Sequence, residues 1–235
     1  MKSMLKIVVF SGAGMSAESG IQTFRDSNGL WENYKIEDVA TPQAWAKDPD
    51  LVTDFYNQRR KTIIEASPNN AHIGVKALEE LAEVLVITQN IDDLHERAGS
   101  SNVLHLHGNI RLAKSSGPDQ EKKYYSIDDW KLDETSVCPD GYRLRPHVVW
   151  FGEDVPCYEQ AAIQLDGANI LIVIGTSLQV YPAAGLIQFA TKAEHKYIID
   201  PKADELSVPA EFIKLNATAS DGIAAILEEL KNKLS

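Results

Sequence analysis

The 235-residue sequence has little cysteine, no excess of positive charge and no long apolar run. Its two cysteines, Cys138 and Cys157, are too few for a disulfide framework, so we expect a protein of the reducing cytoplasm. The formal net charge of −11 argues against a nucleic-acid partner, because phosphates are neutralised by clustered Lys and Arg. No stretch reaches the roughly 18 apolar residues of a membrane span, so no membrane partner is expected.

The scarcity of cysteine also excludes the common kind of structural metal site. Such a zinc site normally has four ligands, mostly cysteines and often in C-x2–4-C pairs. Two cysteines that lie far apart do not provide this set, and the sequence contains no H-x-x-x-H pair. We therefore expect no zinc.

Short segments rich in β-branched residues predict buried strands, and helical patterns lie between some of them. This alternation is typical of an α/β domain with a mainly parallel sheet. The predicted strands are residues 7–11, 84–88, 103–106, 170–174 and 197–199, and the helical patterns are residues 70–83 and 182–192.

Two stretches interrupt the alternation, and we expect them to form a smaller, helical and irregular module inserted into one catalytic domain that spans residues 1–235. The module comprises approximately residues 16–68 and 109–146, and the large part comprises residues 1–15, 69–108 and 147–235.

Residues 11–17 follow a strand and match the dinucleotide pattern G-x-G-x-x-A. The glycines let the backbone approach a pyrophosphate, whose oxygens accept from free N–H groups; a plain tight turn is the alternative. The acid expected on a second strand is missing, so a dinucleotide would bind by a variant of this scheme. Asp200, at the end of a late strand, could bind the ribose diol, or it could simply be a turn acid before Pro201.

Residues 88–93 end another strand with more hydrogen-bonding side chains than a turn needs. Asn90 could orient sugar hydroxyls or a water, and Asp92 could accept from an amide; a helix N-cap at Asp92 or Asp93 is the alternative. His107, which precedes Gly108, could be a general base or a structural histidine. Residues 147–153 could pair with a peptide backbone or could form a core strand.

Taken together and in this order, the motifs resemble the signatures of the sirtuin family. They are residues 12–21 with 23–25, residues 88–92, residues 107–108, residues 149–153 and residues 175–178, and the resemblance extends over residues 6–225. It implies a Rossmann-like large domain with a smaller module, NAD as co-substrate and acyl-lysine proteins as substrates.

The resemblance also implies a reaction. The acyl oxygen attacks the nicotinamide ribose, nicotinamide leaves, and His107 takes a proton from a ribose hydroxyl that then attacks the adduct. Water completes the release of free lysine and O-acyl-ADP-ribose, while Asn90 positions the ribose and the water. A dry, preorganised polar site would stabilise the developing positive charge.

The remaining roles that the resemblance implies concern binding. Ile91 and Asp92 would hold the carboxamide of nicotinamide, Phe24 would shield the reactive face, and Arg25 and Gln89 would hold phosphate and ribose. The other cofactor contacts would be Gly12, Ala13, Gly14, Ala17, Gly175, Thr176, Ser177, Asp200 and Ala219, and the substrate contacts Val149, Trp150, Phe151 and Gly152.

This sequence departs from the family pattern in the small module, which normally carries two cysteine pairs. Ser115 stands where the first pair should start, and only Cys138 remains of the second, with Gly141 at its partner's position. Packing must therefore hold the module, with Tyr124, Tyr125, Ile127, Trp130 and Leu132 as candidates. The family's usual Asn at the end of the late strand is here Asp200, which can also bind a diol.

A Tyr-x-x-Arg pair narrows the substrate. Asp48 and Pro49 predict a helix start, and the following helix carries a stripe at Val52, Tyr56, Arg59 and Ile63. The pair resembles the acyl-carboxylate receptor of class III sirtuins, which remove succinyl and malonyl groups. The alternative is that Arg59 extends its aliphatic stem along a domain seam.

Three functions remain open at this point. The first is the NAD-dependent lysine deacylase. The second is a transferase that passes ADP-ribose from NAD to protein at the same site. The third is a non-enzymatic sensor of NAD or O-acyl-ADP-ribose. Because His107 and Asn90 are both present together with the Tyr56 and Arg59 pair, the sequence favours deacylation.

Overall fold

The structure, a computed structural model, describes residues 5–22, 30–31 and 34–234. Its strands are β1 Lys6–Ser11, β2 Leu30–Trp31, β3 Tyr34–Lys35, β4 Glu83–Thr88, β5 Val103–His105, β6 Gly108–Ser115, β7 Tyr124–Ser126, β8 Leu144–Val148, β9 Ile170–Ile174, β10 His195–Ile199 and β11 Phe212–Leu215. Its α-helices are α1 Ile36–Val39, α2 Pro42–Lys47, α3 Pro49–Glu65, α4 Asn70–Ala77, α5 Leu94–Arg97, α6 Tyr158–Asp166 and α7 Ala219–Leu234. Short 3-10 helices cover Ala13–Ser19, Leu78–Glu80, Ala183–Phe189 and Ala203–Glu205.

The large sheet has six parallel strands in the order β11-β10-β9-β1-β4-β5. The predicted α/β class with a Rossmann-like parallel sheet is confirmed, and the five predicted strands are all present. The chain runs outward from β1 in both directions, so a crevice opens beyond the carboxyl ends of β1 and β9. Ligands bind at such switch points in open α/β sheets.

Both faces of this sheet are covered, which explains why its strands are continuously apolar. On β1, Ile7 and Val9 face one core cluster with helices α4 and α7, whereas Val8 and Phe10 face the other with helix α6. All four side chains are fully buried. Burial of a side chain of this size contributes about 1.5–3 kcal/mol. In the described part of the chain, no helix has the length and apolarity to cross a membrane.

The stretch predicted to be irregular contains a three-stranded antiparallel sheet in the order β7-β6-β8. The expectation of irregular structure was therefore wrong for the strand residues. The pairing of β6 with β8 shifts between Gly108 and Ala113. Such an irregularity breaks the two-residue alternation by which a half-buried strand is normally predicted.

The small sheet has its own core, formed by Ala113, Ile127, Leu132, Cys138 and Leu144, with Tyr125 packed against it. Packing by Ile127, Leu132 and Tyr125 is therefore confirmed. Tyr124 is 39% exposed and stacks on His147, with 4.0 Å between ring centroids. Trp130 lies beneath the Lys61 ammonium at 5.5 Å. At the position of the missing cysteine pair, Ser115 Oγ lies 3.5 Å from Cys138 Sγ.

Helix α3 starts as predicted, with Pro49 in its first turn and Asp48 Oδ1 accepting from Leu51 N at 2.9 Å. The four stripe residues Val52, Tyr56, Arg59 and Ile63 are all buried. The helix also buries a second, polar face that we did not predict.

Asn57 and Arg60 form that second face of α3 and bind the backbone of residues 110–132, in the second stretch of the small module. Asn57 Nδ2 donates to Leu132 O at 2.7 Å, and Leu132 N donates to Asn57 Oδ1 at 2.9 Å. Arg60 donates from Nε to Ile110 O at 2.7 Å and from Nη1 to Trp130 O at 2.8 Å. Helix α3 of the small module therefore carries the predicted acyl receptor on one face and binds residues 110–132 through the other.

Candidate active site

Two glycine loops meet at the switch point, each following a central strand. Gly12 N donates to Ile174 O at 3.0 Å, and Gly14 N donates to Gly175 O at 2.8 Å. Gly175 has a φ of +64°, and a Cβ there would lie 2.2 Å from Met15 N. Only glycine permits this approach of two backbones, because any side chain would collide with main-chain atoms.

Asn90 follows β4 and reaches across to the first glycine loop. Its backbone N donates to Thr88 Oγ1 at 3.0 Å, and its Nδ2 lies 3.1 Å from both Gly12 O and Ser16 Oγ. Its Oδ1 makes no hydrogen bond to any residue that the structure describes. The amide is thus fixed at its nitrogen, and its oxygen remains available to a hydroxyl or a water.

Asp92 is buried and is bound through both carboxylate oxygens. Ser16 Oγ donates to Oδ2 at 2.9 Å, and Leu94 N donates to Oδ1 at 3.2 Å. Burial raises the pKa of Asp92 in spite of these two donors. The alternative interpretation was a helix N-cap at Asp92 or Asp93. Asp93, the residue before α5, makes no side-chain cap, whereas the contact of Asp92 with Leu94 N is of the capping kind. Asp92 therefore fixes the first glycine loop relative to the loop after β4.

His107 lies just beyond β5, and its two ring nitrogens have different surroundings. Nδ1 is 2.9 Å from Gln89 O, and because a carbonyl only accepts, Nδ1 carries the hydrogen. In the neutral ring Nε2 then carries the lone pair, and it makes no hydrogen bond to a described residue. Burial lowers the pKa of His107, so the ring is neutral at pH 7. These are the properties of a general base.

The segment after β8, predicted to bind substrate, is joined directly to His107. Val149 N donates to His107 O at 2.9 Å, and Phe151 N donates to Ala40 O at 3.0 Å. Phe151 is 46% exposed, whereas Trp150 is 2% exposed. Gly152 has a φ of +92°, and a Cβ added there would have no atom within 4 Å. The chain therefore turns at a position that is not crowded by neighbouring atoms.

Tyr56 and Arg59 of α3 lie close to this segment. Trp150 Nε1 donates to Tyr56 Oη at 3.1 Å, and Arg59 Cζ lies 5.9 Å from the centre of the Phe55 ring. Burial raises the pKa of Tyr56, so its phenol keeps its proton. Tyr56 and Trp150 therefore share one buried cluster, and Arg59 lies near Tyr56 on the same helix.

The other predicted contacts are distributed along the same edge of the sheet. Gln89 Nε2 donates to Thr176 Oγ1 at 3.0 Å, and Asp200 Oδ1 accepts from Lys202 N at 2.9 Å, as in the turn alternative. Ala13 and Ala17 lie in the 3-10 helix, Ile91 lies in the core beneath the site, Ser177 follows Thr176, and Ala219 starts α7. Phe24 and Arg25 lie outside the described residues.

Several buried groups that support the site were not predicted. Ser16 contacts both Asn90 and Asp92, although it lies inside the first motif. Arg145 donates to Glu153 through both terminal nitrogens, at 2.8 and 2.9 Å, and its guanidinium lies 3.5 Å over the Trp150 ring. Glu153 lies in residues 147–153, which were predicted to bind substrate. The spacing of residues in the sequence does not indicate that Arg145 is its partner.

Comparison with known proteins decides the family. The model of the Sir2 family matches residues 12–182. The chain belongs to the Sir2 family. An NAD-dependent protein deacylase of Bacteroides thetaiotaomicron is 47% identical over 236 residues, which cover 98% of each chain.

Solved Sir2 structures have the same fold. A mutant Sir2 homologue in complex with ADP-ribose superposes with a TM-score of 0.88 at 36% identity, covering 99% of this chain and 94% of that one. A Sir2 complex with a p53 peptide and NAD+ has a TM-score of 0.79 at 31% identity, covering 99% and 95%. Within the described residues of this Sir2-family chain, no three His, Cys, Asp or Glu side chains cluster as a metal site.

Proposed function

We propose that this Sir2-family protein removes acyl groups from protein lysines with NAD as co-substrate, releasing nicotinamide, O-acyl-ADP-ribose and free lysine. The observation that carries the proposal is the position of His107. Its ring is bound to the loop of Gln89, and its carbonyl is bound to Val149 of the predicted peptide segment. One general base thus connects the nucleotide side of the site with the substrate side.

The glycine loops and the loop after β4 would hold NAD. The backbones at Gly12 and Gly175 leave no room for side chains, and Asn90 Oδ1 offers an acceptor beside them. NAD supplies a ribose carbon from which nicotinamide departs as positive charge develops. Buried dipoles that are already fixed stabilise such a charge better than water does, because they need no reorganisation.

Within this scheme each residue has a definite task. His107 Nε2 accepts a proton from a ribose hydroxyl, because the lowered pKa leaves the ring neutral and the one hydrogen of that ring is on Nδ1, where it binds Gln89 O. Asn90 holds a hydroxyl or the final water through its amide oxygen. Val149 and Gly152 align the substrate peptide, and Trp150 closes the inner side of the acyl pocket.

The experiment is an assay of NAD-dependent nicotinamide release from acetyl-, succinyl- and malonyl-lysine peptides. His107→Ala should lower turnover by about 10²–10⁴-fold. His195→Ala is the matched control, since His195 pairs with Ile170 at the opposite, amino end of the strands. A His107→Ala variant with near-normal turnover would overturn the proposal. Transfer of ADP-ribose onto the peptide instead of loss of the acyl group would favour the transferase alternative.

We further propose that the preferred acyl groups end in a carboxylate, as succinyl and malonyl do. Arg59 is 5% exposed, and its planar fork suits bidentate binding of a carboxylate. Tyr56, one turn earlier on α3, retains its phenolic proton and can donate to the same group. An acetyl group has no carboxylate that could accept from these two donors, so acetyl-lysine should be the poorer substrate.

Arg59→Met tests the acyl preference, and Lys61→Met is its control on the exposed side of the same helix. Hydrogen bonds to charged groups are worth about 1.5–3 kcal/mol. Loss of Arg59 should therefore lower kcat/KM for succinyl-lysine by at least about tenfold and leave deacetylation unchanged or improved. Parallel loss of both activities would instead make Arg59 a structural residue at the domain seam.

A further inference from the structure

Two histidines contact consecutive carbonyl groups of the loop that carries Asn90. His107 Nδ1 donates to Gln89 O, and His105 Nδ1 lies 2.9 Å from Asn90 O. The two rings differ at their second nitrogen. His107 Nε2 makes no hydrogen bond to the described residues, whereas His105 Nε2 lies 2.7 Å from Glu96 Oε1 on α5.

The shortest contact of each His105 nitrogen is therefore to an acceptor, a carbonyl for Nδ1 and a carboxylate for Nε2, and the Asn109 amide nitrogen makes a longer contact of 3.3 Å with Nε2. An acceptor needs a hydrogen opposite it, so the two short contacts together favour the imidazolium, which carries both hydrogens. Burial would lower the pKa of His105, but the hydrogen bond and the charge of Glu96 raise it above its usual range. Burial would likewise raise the pKa of Glu96, and the hydrogen bond from His105 lowers it.

The other titratable groups around His105 do not compete for this role. Asp92, in the loop after β4, adds a further attraction for the imidazolium. His95 on α5 and His147 on β8 both repel it when they are charged. Burial lowers the pKa of each, to about 4 for His147, so both are neutral at pH 7. Glu96 is thus the partner of the charged ring.

We propose that His105, held in its charged form by Glu96, is a positioning residue for Asn90, and that loss of this charge limits turnover at high pH. The inference rests on the proposed function, because it takes Asn90 as the group that orients ribose and water. Asn90 is then fixed at three points, since its N, O and Nδ2 bind Thr88, His105 and the first glycine loop respectively.

The pH dependence follows from the number of hydrogens on the ring. Once His105 loses a proton, one hydrogen remains for two acceptors, and the carboxylate binds it more strongly than the carbonyl does. A lone pair on Nδ1 then faces Asn90 O and repels it. The raised pKa sets the direction: the contact is complete below the pKa of His105 and is lost as the pH rises through it.

The first test compares the alkaline side of the kcat profile in the wild type, Glu96→Gln and Glu79→Gln. In Glu96→Gln the new amide can donate to Nε2, as can Asn109 Nδ2 at 3.3 Å, so a neutral ring keeps its Nδ1 hydrogen for Asn90. Wild type should lose about tenfold in kcat across this limb, and Glu96→Gln should lose far less. Glu79→Gln removes one carboxylate from a pair with Lys76 away from the site and should behave as wild type. An unchanged limb in Glu96→Gln would overturn the proposal.

The second test does not depend on deacylase activity. Nitrogen-15 NMR of histidine-labelled protein, assigned with His105→Asn and His107→Asn, reports which ring nitrogens carry hydrogen. At pH 6.5 we expect most of His105 to carry hydrogen on both nitrogens and most of His107 to carry it on Nδ1 alone, because their pKa values shift in opposite directions from the usual value. A His105 that is mostly neutral at pH 6.5 would refute the inference. If this spectrum is as expected but no acyl peptide is turned over, the proposed function fails and the charged His105 stands.

Discussion

Replacing Gly175 by alanine tests the close contact between the two glycine loops. The new Cβ would lie 2.2 Å from Met15 N and 2.5 Å from Gly14 C, so main-chain atoms rather than flexible side chains must move. The residue would also keep a φ of +64°, which L side chains rarely adopt. The substitution thus combines backbone strain with a steric clash.

The two effects can be estimated separately. A left-handed conformation costs about 1–2 kcal/mol for a non-glycine residue, and overpacking that shifts backbone costs about 1–3 kcal/mol. The sum for Gly175→Ala is about 2–5 kcal/mol of unfolding free energy. For a chain of this size about 1 kcal/mol lowers Tm by roughly 2–4 °C, so we expect a fall of roughly 4–20 °C.

Gly20→Ala is the matched control, because Gly20 has a φ of +82° and no atom within 4 Å of the added Cβ. It carries the strain alone and should lower Tm by only about 2–8 °C. Thermal unfolding and calorimetric titration with NAD measure both variants. Gly175→Ala should also weaken NAD binding more than Gly20→Ala does. Equal losses of Tm in the two variants would show that the loop contact is not the constraint described.

Three further predictions concern the stability of the small module, the zinc content of the protein and the acid side of the kcat–pH profile. Asn57→Ala removes three buried hydrogen bonds and should lower the free energy of unfolding by about 2–4 kcal/mol, whereas exposed Gln58→Ala should change denaturant midpoints little. Purified protein should contain no stoichiometric zinc and should keep its Tm in chelator; one zinc per chain by elemental analysis would contradict this. Because burial lowers the pKa of His107, the acid limb of kcat should lie below pH 6.5; a limb above that value would count against His107 as the base.

The large sheet was predictable because its central strands are buried on both faces. A run such as Ile170–Ile174 has no polar residue, and few structures other than a doubly covered strand accept it. Strand β11, Phe212–Leu215, was not predicted, since it lies at the sheet edge with Lys214 inside it and Ile213 48% exposed. The small sheet was missed because its register shift removes the alternating pattern.

The loops of the site were predictable for a different reason. Parallel strands bring their carboxyl ends to one edge, so polar residues after separate strands must meet there. What could not be predicted is which of those residues bind one another. Ser16 and Asp92 are 76 positions apart, and the contact of His105 with Glu96 depends on how α5 returns over β5. Side-chain pairing of this kind is set by packing and leaves no periodic signal in the sequence.

The 3.5 Å separation of Ser115 Oγ and Cys138 Sγ has a consequence for engineering. Two sulfur ligands at about 2.3 Å from one tetrahedral zinc lie about 3.8 Å apart. The small module thus holds two side chains at nearly the spacing of two zinc ligands. Ser115→Cys, Pro118→Cys and Gly141→Cys together would recreate two C-x2-C pairs around this point. The stability of such a variant would then depend on the free zinc concentration, as in a built-in metal sensor.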